Sequence, residues 1–247
     1  MTKEVLLTGA AGHVGQAILS DLADEYEWRL FDIEHPGEEA PGEVIIGDIT
    51  DSELVAEAVD GVDAIVHLAG DPRRDAGWES VLENNIHGTY VVFNAAVEAG
   101  VDRIAFASSN HAVGAYETAD RIPHIYRVDG DFTLDGSELP RPGNLYGVSK
   151  ATGELLGRYY HDKHGLSVVC VRIGNLTEGH PPHDYERGQA MWLSYRDCAH
   201  LFDRCLVAAY DFLIVYGISN NDRRYYSLAP AREHLGYDPQ DNSGDYE

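Results

Sequence analysis

The stretch V-L-L-T-G-A-A-G-H-V-G, from Val5 to Gly15, decides the fold. An apolar run over residues 5–8 ends in glycines at Gly9, Gly12 and Gly15, spaced G-x-x-G-x-x-G. It reads as a buried strand, a tight turn and a helix that runs to about Asp24. Glycines in such a turn let an anion approach the backbone at the helix N-terminus, where unpaired N–H groups and the helix dipole favour negative charge. A glycine triplet alone is weak evidence; strand, helix and a following acid in the expected order make it strong. That acid is Asp32, which ends a second strand over residues 28–31. A carboxylate there accepts hydrogen bonds from a ribose 2′-hydroxyl and repels a 2′-phosphate, which favours NAD over NADP.

The alternation continues outward from this unit. A polar Pro/Gly loop spans 35–43, and a third strand over 44–46 ends in Gly47-Asp48, where Asp48 can meet an adenine edge. Helices are expected at 51–59 and at 78–99, the latter with apolar residues Val81, Leu82, Ile86, Tyr90, Phe93 and Val97 at helical spacing and Gly100 as its stop. Strands are expected at 64–68 and 103–107. The first of these ends in Leu68-Ala69-Gly70, close to a cofactor that Gly70 has no side chain to block. Residues 114–143 show little periodicity and many Pro, Gly and charged residues, the pattern of a long surface excursion, and loops of that length are usually functional. A helix at 145–164, a strand at 167–173, an irregular Pro-rich stretch at 174–189, a helix at 195–209, a strand at 212–216 and a short helix at 228–235 complete the chain. This order predicts an α/β fold of Rossmann type, a doubly wound parallel sheet with ligands at the carboxyl ends of its strands. One domain over 1–247 is expected, with 1–173 mainly the dinucleotide-binding core and 174–247 mainly a small C-terminal substrate-binding part.

The chain has 247 residues, 44% of them hydrophobic, enough for one good core. No apolar run approaches the length of a membrane span, and the first residues lead straight into a strand. No signal peptide and a cytoplasmic location are therefore expected. Cys170, Cys198 and Cys205 lack metal-ligand spacing and read as small core residues in a reducing compartment, Cys198 and Cys205 sharing one helix face. His161, His164, His180 and His183 read as solvent-facing, and no metal is expected. Asp and Glu number 42 against 18 Lys and Arg, a net charge of −24, and the only lysines are Lys3, Lys150 and Lys163. Such a charge repels nucleic acid and anionic membranes, so neither is an expected partner. Dispersed acid with scarce lysine is the composition of a protein from a salt-accumulating halophile, in which salt screens the self-repulsion.

The chemistry sits in two later strings, S-S-N-H at Ser108–His111 and Y-G-V-S-K at Tyr146–Lys150. Tyr146 and Lys150 are spaced i, i+4 at the start of a helix and share a face. A free phenol has a pKa near ~10 and is a poor base at neutral pH. An ammonium ~4 Å away would favour the phenolate by up to roughly 4 kcal/mol at intermediate dielectric, about three pKa units. The positive nicotinamide would add to this, and the phenolate could then take a hydroxyl proton as hydride leaves the carbon. Ser109 would hold the same oxygen.

With T-G-A-A-G-H-V-G, H-L-A-G (His67–Gly70), N-N-I-H-G-T (Asn84–Thr89), Ser109 and Y-x-x-x-K in place, the chain resembles the extended short-chain dehydrogenase/reductase family over nearly its whole length. The strings F-A-S-S-N-H-A-V-G, L-Y-G-V-S-K and V-R-I-G-N narrow the resemblance to the uronate dehydrogenase-like branch, whose haloarchaeal members act as NAD-dependent glucose-6-phosphate dehydrogenases. The resemblance implies a catalytic tetrad of Asn85, Ser109, Tyr146 and Lys150, with Asn85 holding a water that links Lys150 to solvent. It implies NAD bound by Gly9, Ala11, Gly12, His13, Val14, Gly15, Asp32, Asp48, Ile49, Leu68, Ala69, Gly70, Asn85, Tyr146, Lys150 and Ile173. It implies substrate contacts from Ser109, Asn110, His111, Tyr146, Asn175 and Arg187, and pairing of chains through the helices at 78–99 and 145–164 into a homodimer or a dimer-based tetramer.

Substrate choice is read by elimination within that resemblance. Dehydratases of the family need an acid beside the catalytic hydroxyl, where this chain has Asn110 and His111. Nucleotide-sugar epimerases carry a larger C-terminal part, so a simple sugar or sugar phosphate, oxidised at its anomeric carbon to a lactone, is expected. The planar fork of Arg187 suits a carboxylate or a phosphate equally. Glucose 6-phosphate is the leading expectation, a uronate its rival, and an NAD sensor without turnover the reading from another class. One of Arg121, Arg127 and Arg141 in the excursion, or Arg73 or Arg74, is expected to reach the 6-phosphate.

Overall fold

A computed structural model describes residues 2–118, 120–127, 130–182 and 186–246. Its strands are β1 (Glu4–Thr8), β2 (Glu27–Asp32), β3 (Glu43–Ile46), β4 (Ala64–His67), β5 (Arg103–Ser109), β6 (Ser167–Ile173), β7 (Asn175–Leu176), β8 (Trp192–Leu193) and β9 (Phe212–Gly217). Its α-helices are α1 (His13–Leu22), α2 (Ser52–Val59), α3 (Trp78–Ser80), α4 (Gly88–Ala99), α5 (Ile122–Ile125), α6 (Leu145–His164), α7 (Glu186–Ala190), α8 (Tyr195–Val207) and α9 (Ala229–Leu235). Seven strands form one sheet in the order β3-β2-β1-β4-β5-β6-β9, every neighbour parallel. This is the doubly wound sheet expected from the alternation of strands and helices. The two-residue strands β7 and β8 pair separately and were too short to carry a periodic signal.

The sheet is buried on both faces because the middles of its strands are apolar and their side chains alternate between the faces. Val5 and Leu7 of β1, Val66 of β4 and Val169 and Val171 of β6 pack in one core with Ala17, Ile18 and Leu22 of α1 and Leu201 and Phe202 of α8. Leu6, Ile65, Val168 and Cys170 point the other way, to Val55 and Val59 of α2, Val92 and Phe93 of α4 and Tyr160 of α6. Cys198 and Cys205 lie fully buried on α8, and all three cysteines are buried thiols. Strand order reverses between β1 and β4. At such a switch point the two following loops part and leave a crevice at the carboxyl ends of the strands.

Three expectations need correcting. The helix expected at 78–99 is not one regular helix: a π-helical segment, Val81–His87, separates α3 from α4. The wide turns let Asn85 face inward and bond outside its own helix, and π-turns are frequent at functional sites. The excursion at 114–143 is not merely a surface loop. It carries a 3₁₀ helix (Asn110–Tyr116), α5 and a bridge from Leu134 to Tyr226, and it buries Ile125, Tyr126 and Leu134. Glu138 pins it to the sheet by accepting from Arg172 and from the Tyr216 hydroxyl, while Arg172 forks onto Glu154 of α6 at 2.8 and 2.9 Å. His161 is half-buried, its Nδ1 3.0 Å from the Leu166 carbonyl, so it does not face solvent as expected. His164 and His180 are exposed, and His183 lies outside the described residues.

Candidate active site

The glycine turn joins β1 to α1 beneath the loop after β4. A Cβ added at Gly9 would meet the Ala69 nitrogen at 2.7 Å, so the two loops touch through bare backbone. No side chain caps α1, whose N-cap is Gly12, and this leaves a helix N-terminus open to an anion. Asp32, at the carboxyl end of β2, accepts from the Ala11 nitrogen at 2.8 Å and the Glu34 nitrogen at 3.2 Å, which fixes a carboxylate beside the turn. These groups fit a dinucleotide: an anion cradle, a ribose acceptor and two loops that meet with no side chain between them. His13 is exposed at the first turn of α1, 5.4 Å ring to ring from Tyr195, and Val14 is half-buried. Asp48 is exposed and accepts from the nitrogen and the hydroxyl of Thr50 at 2.9 and 2.8 Å, while Ile49 is buried where a Cβ on Gly88 of α4 would touch it.

The loop after β4 is held from two sides. The Thr8 hydroxyl accepts from the nitrogens of Leu68 and Ala69 at 3.2 and 3.3 Å, and lies 2.8 Å from His67 Nδ1. His67 Nε2 reaches Thr89 Oγ1 at 3.1 Å, and burial followed by the Lys150 charge lowers this histidine to about 3. Beyond it, Asn85 Oδ1 accepts from the Asp71 nitrogen at 2.6 Å, while Nδ2 donates to the Asp71 carbonyl at 3.1 Å and to Ser149 Oγ at 3.0 Å. Asn85 thus ties the loop to α6 beside Lys150. Gly70 sits at φ +150° with its missing Cβ 2.9 Å from Asn85 Oδ1, so a side chain there would displace the amide.

The catalytic candidates meet at the end of β5. Asn144 caps α6, accepting from the Gly147 nitrogen at 2.7 Å, and so sets the first turn that carries Tyr146 and Lys150. Burial pushes the Tyr146 phenol up, and a hydrogen bond with Ser109 pulls the other way. Lys150 Nζ stands 5.7 Å from the Tyr146 ring centre and 5.2 Å from that of Phe106, and burial lowers it to about 8. Lys150 thus lies on the Tyr146 side of α6, as the i, i+4 spacing predicts, and its ammonium together with the positive charge of a bound nicotinamide would favour the phenolate.

Around this centre, His111 lies 5.7 Å ring to ring from Tyr146, and its Nδ1 accepts from Asn144 Nδ2 at 3.2 Å. Burial, then the charges of Arg187 and Arg74, lower His111 to about 4, so it is a neutral ring whose Nε2–H can donate. Asn110 is buried under Ser109, accepting from its hydroxyl at 3.3 Å and donating to Met191 Sδ at 2.8 Å. Asn175 is half-buried on β7, its nitrogen bonded to the Met191 carbonyl at 2.7 Å, and Ile173 is buried at the end of β6.

Arg187 meets a residue that the sequence did not single out. Its Nε and Nη2 donate to Glu117 at 2.5 and 3.0 Å, and Glu117 also accepts from the hydroxyls of Tyr126 at 2.8 Å and Tyr225 at 2.6 Å. Burial pushes Glu117 up, but the hydrogen bonds and charge of Arg187 and the two hydroxyls outweigh it and leave it below the usual carboxylate range. The excursion arginines turn elsewhere: Arg121 lies over the Phe132 ring and Arg141 over the Tyr116 ring, each at 4.8 Å, and Arg127 is exposed. Arg73 pairs with Asp71 at 2.6 Å. Of the candidate second cations, Arg74 is the one whose charge acts on His111. Asn144 had a readable signal, an Asn directly before a helix, whereas Glu117 had none, since its partners come from distant segments.

A model of the NAD dependent epimerase/dehydratase family matches residues 5–197. The chain is 63% identical over 252 aligned residues to an NAD-dependent glucose-6-phosphate dehydrogenase of Haloferax volcanii, covering 100% of this chain and 96% of that one. It is 42% identical over 250 residues to an L-arabinose 1-dehydrogenase (NAD(P)(+)) of the same organism, covering 97% of each. A uronate dehydrogenase from Agrobacterium tumefaciens, solved as a mutant complexed with NAD, superposes with a TM-score of 0.84 at 33% identity, covering 100% of this chain and 88% of that one.

Proposed function

The chain belongs to the NAD dependent epimerase/dehydratase family, and from that premise we propose that it oxidises the anomeric carbon of glucose 6-phosphate with NAD⁺ to give 6-phosphogluconolactone and NADH. The observation that carries this reading is the 63% identity along the entire chain to a dehydrogenase of that name. The meeting of Ser109, Tyr146 and Lys150 beside the glycine turn supports the chemistry. Gly9, Ala11, Gly12, His13, Val14 and Gly15 cradle the pyrophosphate, and Asp32 takes the ribose hydroxyls. Asp48 and Ile49 border the adenine, and Leu68, Ala69, Gly70 and Ile173 border the nicotinamide. When bound, NAD⁺ supplies the hydride acceptor and a positive charge next to the phenol. Ser109 donates to or accepts from the C1 hydroxyl and holds it against Tyr146. Tyr146 takes the hydroxyl proton as the C1–H pair departs, leaving the lactone carbonyl. Lys150 supplies a positive field beneath the ring, and Asn85 fixes the loop and α6 in register. His111, Asn110 and Asn175 read the sugar hydroxyls, and Arg187 reads the anion.

We assign residues 1–173 mainly to the dinucleotide half and 174–247 mainly to the substrate half of one domain. No helix among the described residues is long and apolar enough to cross a membrane. The acidic composition supports a cytoplasmic protein in a salt-rich cell, and exposed apolar side chains on α4 and α6 support a homodimer. The second reading, oxidation of a uronate, is favoured by the superposition on uronate dehydrogenase and by an arginine that suits carboxylate as well as phosphate. The test is NADH formation by the purified protein in multimolar KCl. Glucose 6-phosphate is expected to be oxidised and glucuronate not. The reverse outcome would transfer Arg187 to a carboxylate, and tight NAD binding with no turnover on any sugar would leave a sensor.

A further inference from the structure

We propose that Glu117 is the positioning residue of the substrate's anion site: it fixes the plane of the Arg187 guanidinium, so that the anion meets an oriented set of donors. The inference rests on the reading of Arg187 as the anion-binding group. The excursion at 114–143 was expected to bring a cation to the substrate; what it brings is a carboxylate. An ionised carboxylate offers about four acceptor positions, and Glu117 fills four of them, with Arg187 Nε, Arg187 Nη2, the Tyr126 hydroxyl and the Tyr225 hydroxyl. The pair is shielded, the side chains of Arg187 and Glu117 being 18% and 9% exposed.

The clamp is braced from behind. The Tyr225 and Tyr226 hydroxyls lie 2.9 Å apart, and their ring centres 4.2 Å. Since the Tyr225 proton goes to Glu117, Tyr226 donates to Tyr225. Tyr226 stacks on Tyr216 at 4.2 Å and 12°, and the Tyr216 hydroxyl bonds to Glu138 and Arg172. A line of packed rings therefore runs from the buried ion pairs under β6 and β9 to the back of the Arg187 fork. Glu117 takes the Nε and Nη2 edge, which fixes the guanidinium plane. The charges of Arg187 and Arg74 both act on His111, which places the three near one another.

The test is steady-state kinetics in multimolar KCl of the wild type, Glu117→Gln and Tyr225→Phe. In Glu117→Gln the KM for glucose 6-phosphate is expected to rise about tenfold or more, with kcat within about threefold and the KM for NAD⁺ unchanged, since the guanidinium loses the charged fork that holds its plane and only the substrate side feels it. Tyr225→Phe keeps the ion pair and removes one of four donors; it is expected to raise the same KM about threefold and covers the case in which Glu117→Gln fails to fold. A purely structural role would change kcat and both KM values together with the melting temperature. Either that pattern, or an unaltered or lower KM in a folded variant, overturns the inference. A wild type inactive on glucose 6-phosphate but active on glucuronate overturns the substrate reading alone, and the same comparison is then made with glucuronate.

Discussion

His67 is fully buried between Thr8 and Thr89, and His111 is largely buried beside Arg187 and Arg74. Burial lowers the first to about 3 and the second to about 4, from an ordinary value of 6.5. Both are neutral in the fold at pH values where the unfolded chain has already bound their protons. The unfolded state therefore binds more protons below pH 6.5, and stability rises with pH through the window from about 4 to 6.5 and falls on acidification. Each histidine adds up to about 1.4 kcal/mol per pH unit to that slope. His67→Asn removes the titration while keeping a polar group between the two threonines. Chemical denaturation at pH 7 and pH 5 is expected to show the wild type losing about 2 kcal/mol more than the variant. Equal losses in the two proteins would mean that His67 is not held neutral by the fold.

At the scale of elements, the β1–turn–α1 unit was legible in full because its signal is local: apolar run, glycine spacing, acid at the next strand end. Its tolerance is equally local. A Cβ at Gly15 would meet the carbonyl oxygens of Ala10 and Gly9 at 2.6 and 2.7 Å, backbone that cannot yield without opening the turn. Gly15→Ala is therefore expected to cost about 1–3 kcal/mol of stability and to weaken NAD⁺ binding about tenfold or more, measured by calorimetric titration; intact affinity would remove the turn from the cofactor site. The break at Val81–His87 was not legible, because 3.6-residue periodicity runs through it and the π-turn is imposed from outside. Asn85 trades its place in a regular helix for bonds to Asp71 and Ser149, and only the fold brings those together. Glu117 was illegible for the same reason. Its partners Tyr126, Arg187 and Tyr225 come from separate segments, and the excursion's arginines, the visible cations, settle on the Phe132 and Tyr116 rings instead.

For the whole molecule, the net charge of −24 sets the conditions under which any of this chemistry occurs. Packing so many carboxylates on one small domain opposes the compact state, and a second copy doubles the charge brought together. Against this stands an apolar surface: Leu155 and Tyr159 of α6 are 65% and 52% exposed, Tyr90 of α4 47%, and Leu82 of the π-turn 42%. Since α4 packs beside α6, these side chains share one side of the molecule, and covering them in a homodimer removes apolar area from water. The two effects couple through salt. At ~1 M the screening length falls to about 3 Å, so repulsion across an interface collapses while burial of Leu155 and Tyr159 keeps its strength. Sedimentation and thermal melts across a KCl series are therefore expected to show the dimer fraction and the melting temperature rising together. Leu155→Glu should remain monomeric in multimolar KCl yet still melt at a higher temperature than it does at low salt. A wild type that is monomeric and fully active at high salt would sink the pairing through α4 and α6. A melting temperature indifferent to KCl would sink the account of the acidic surface, because screening of its self-repulsion is what that account requires.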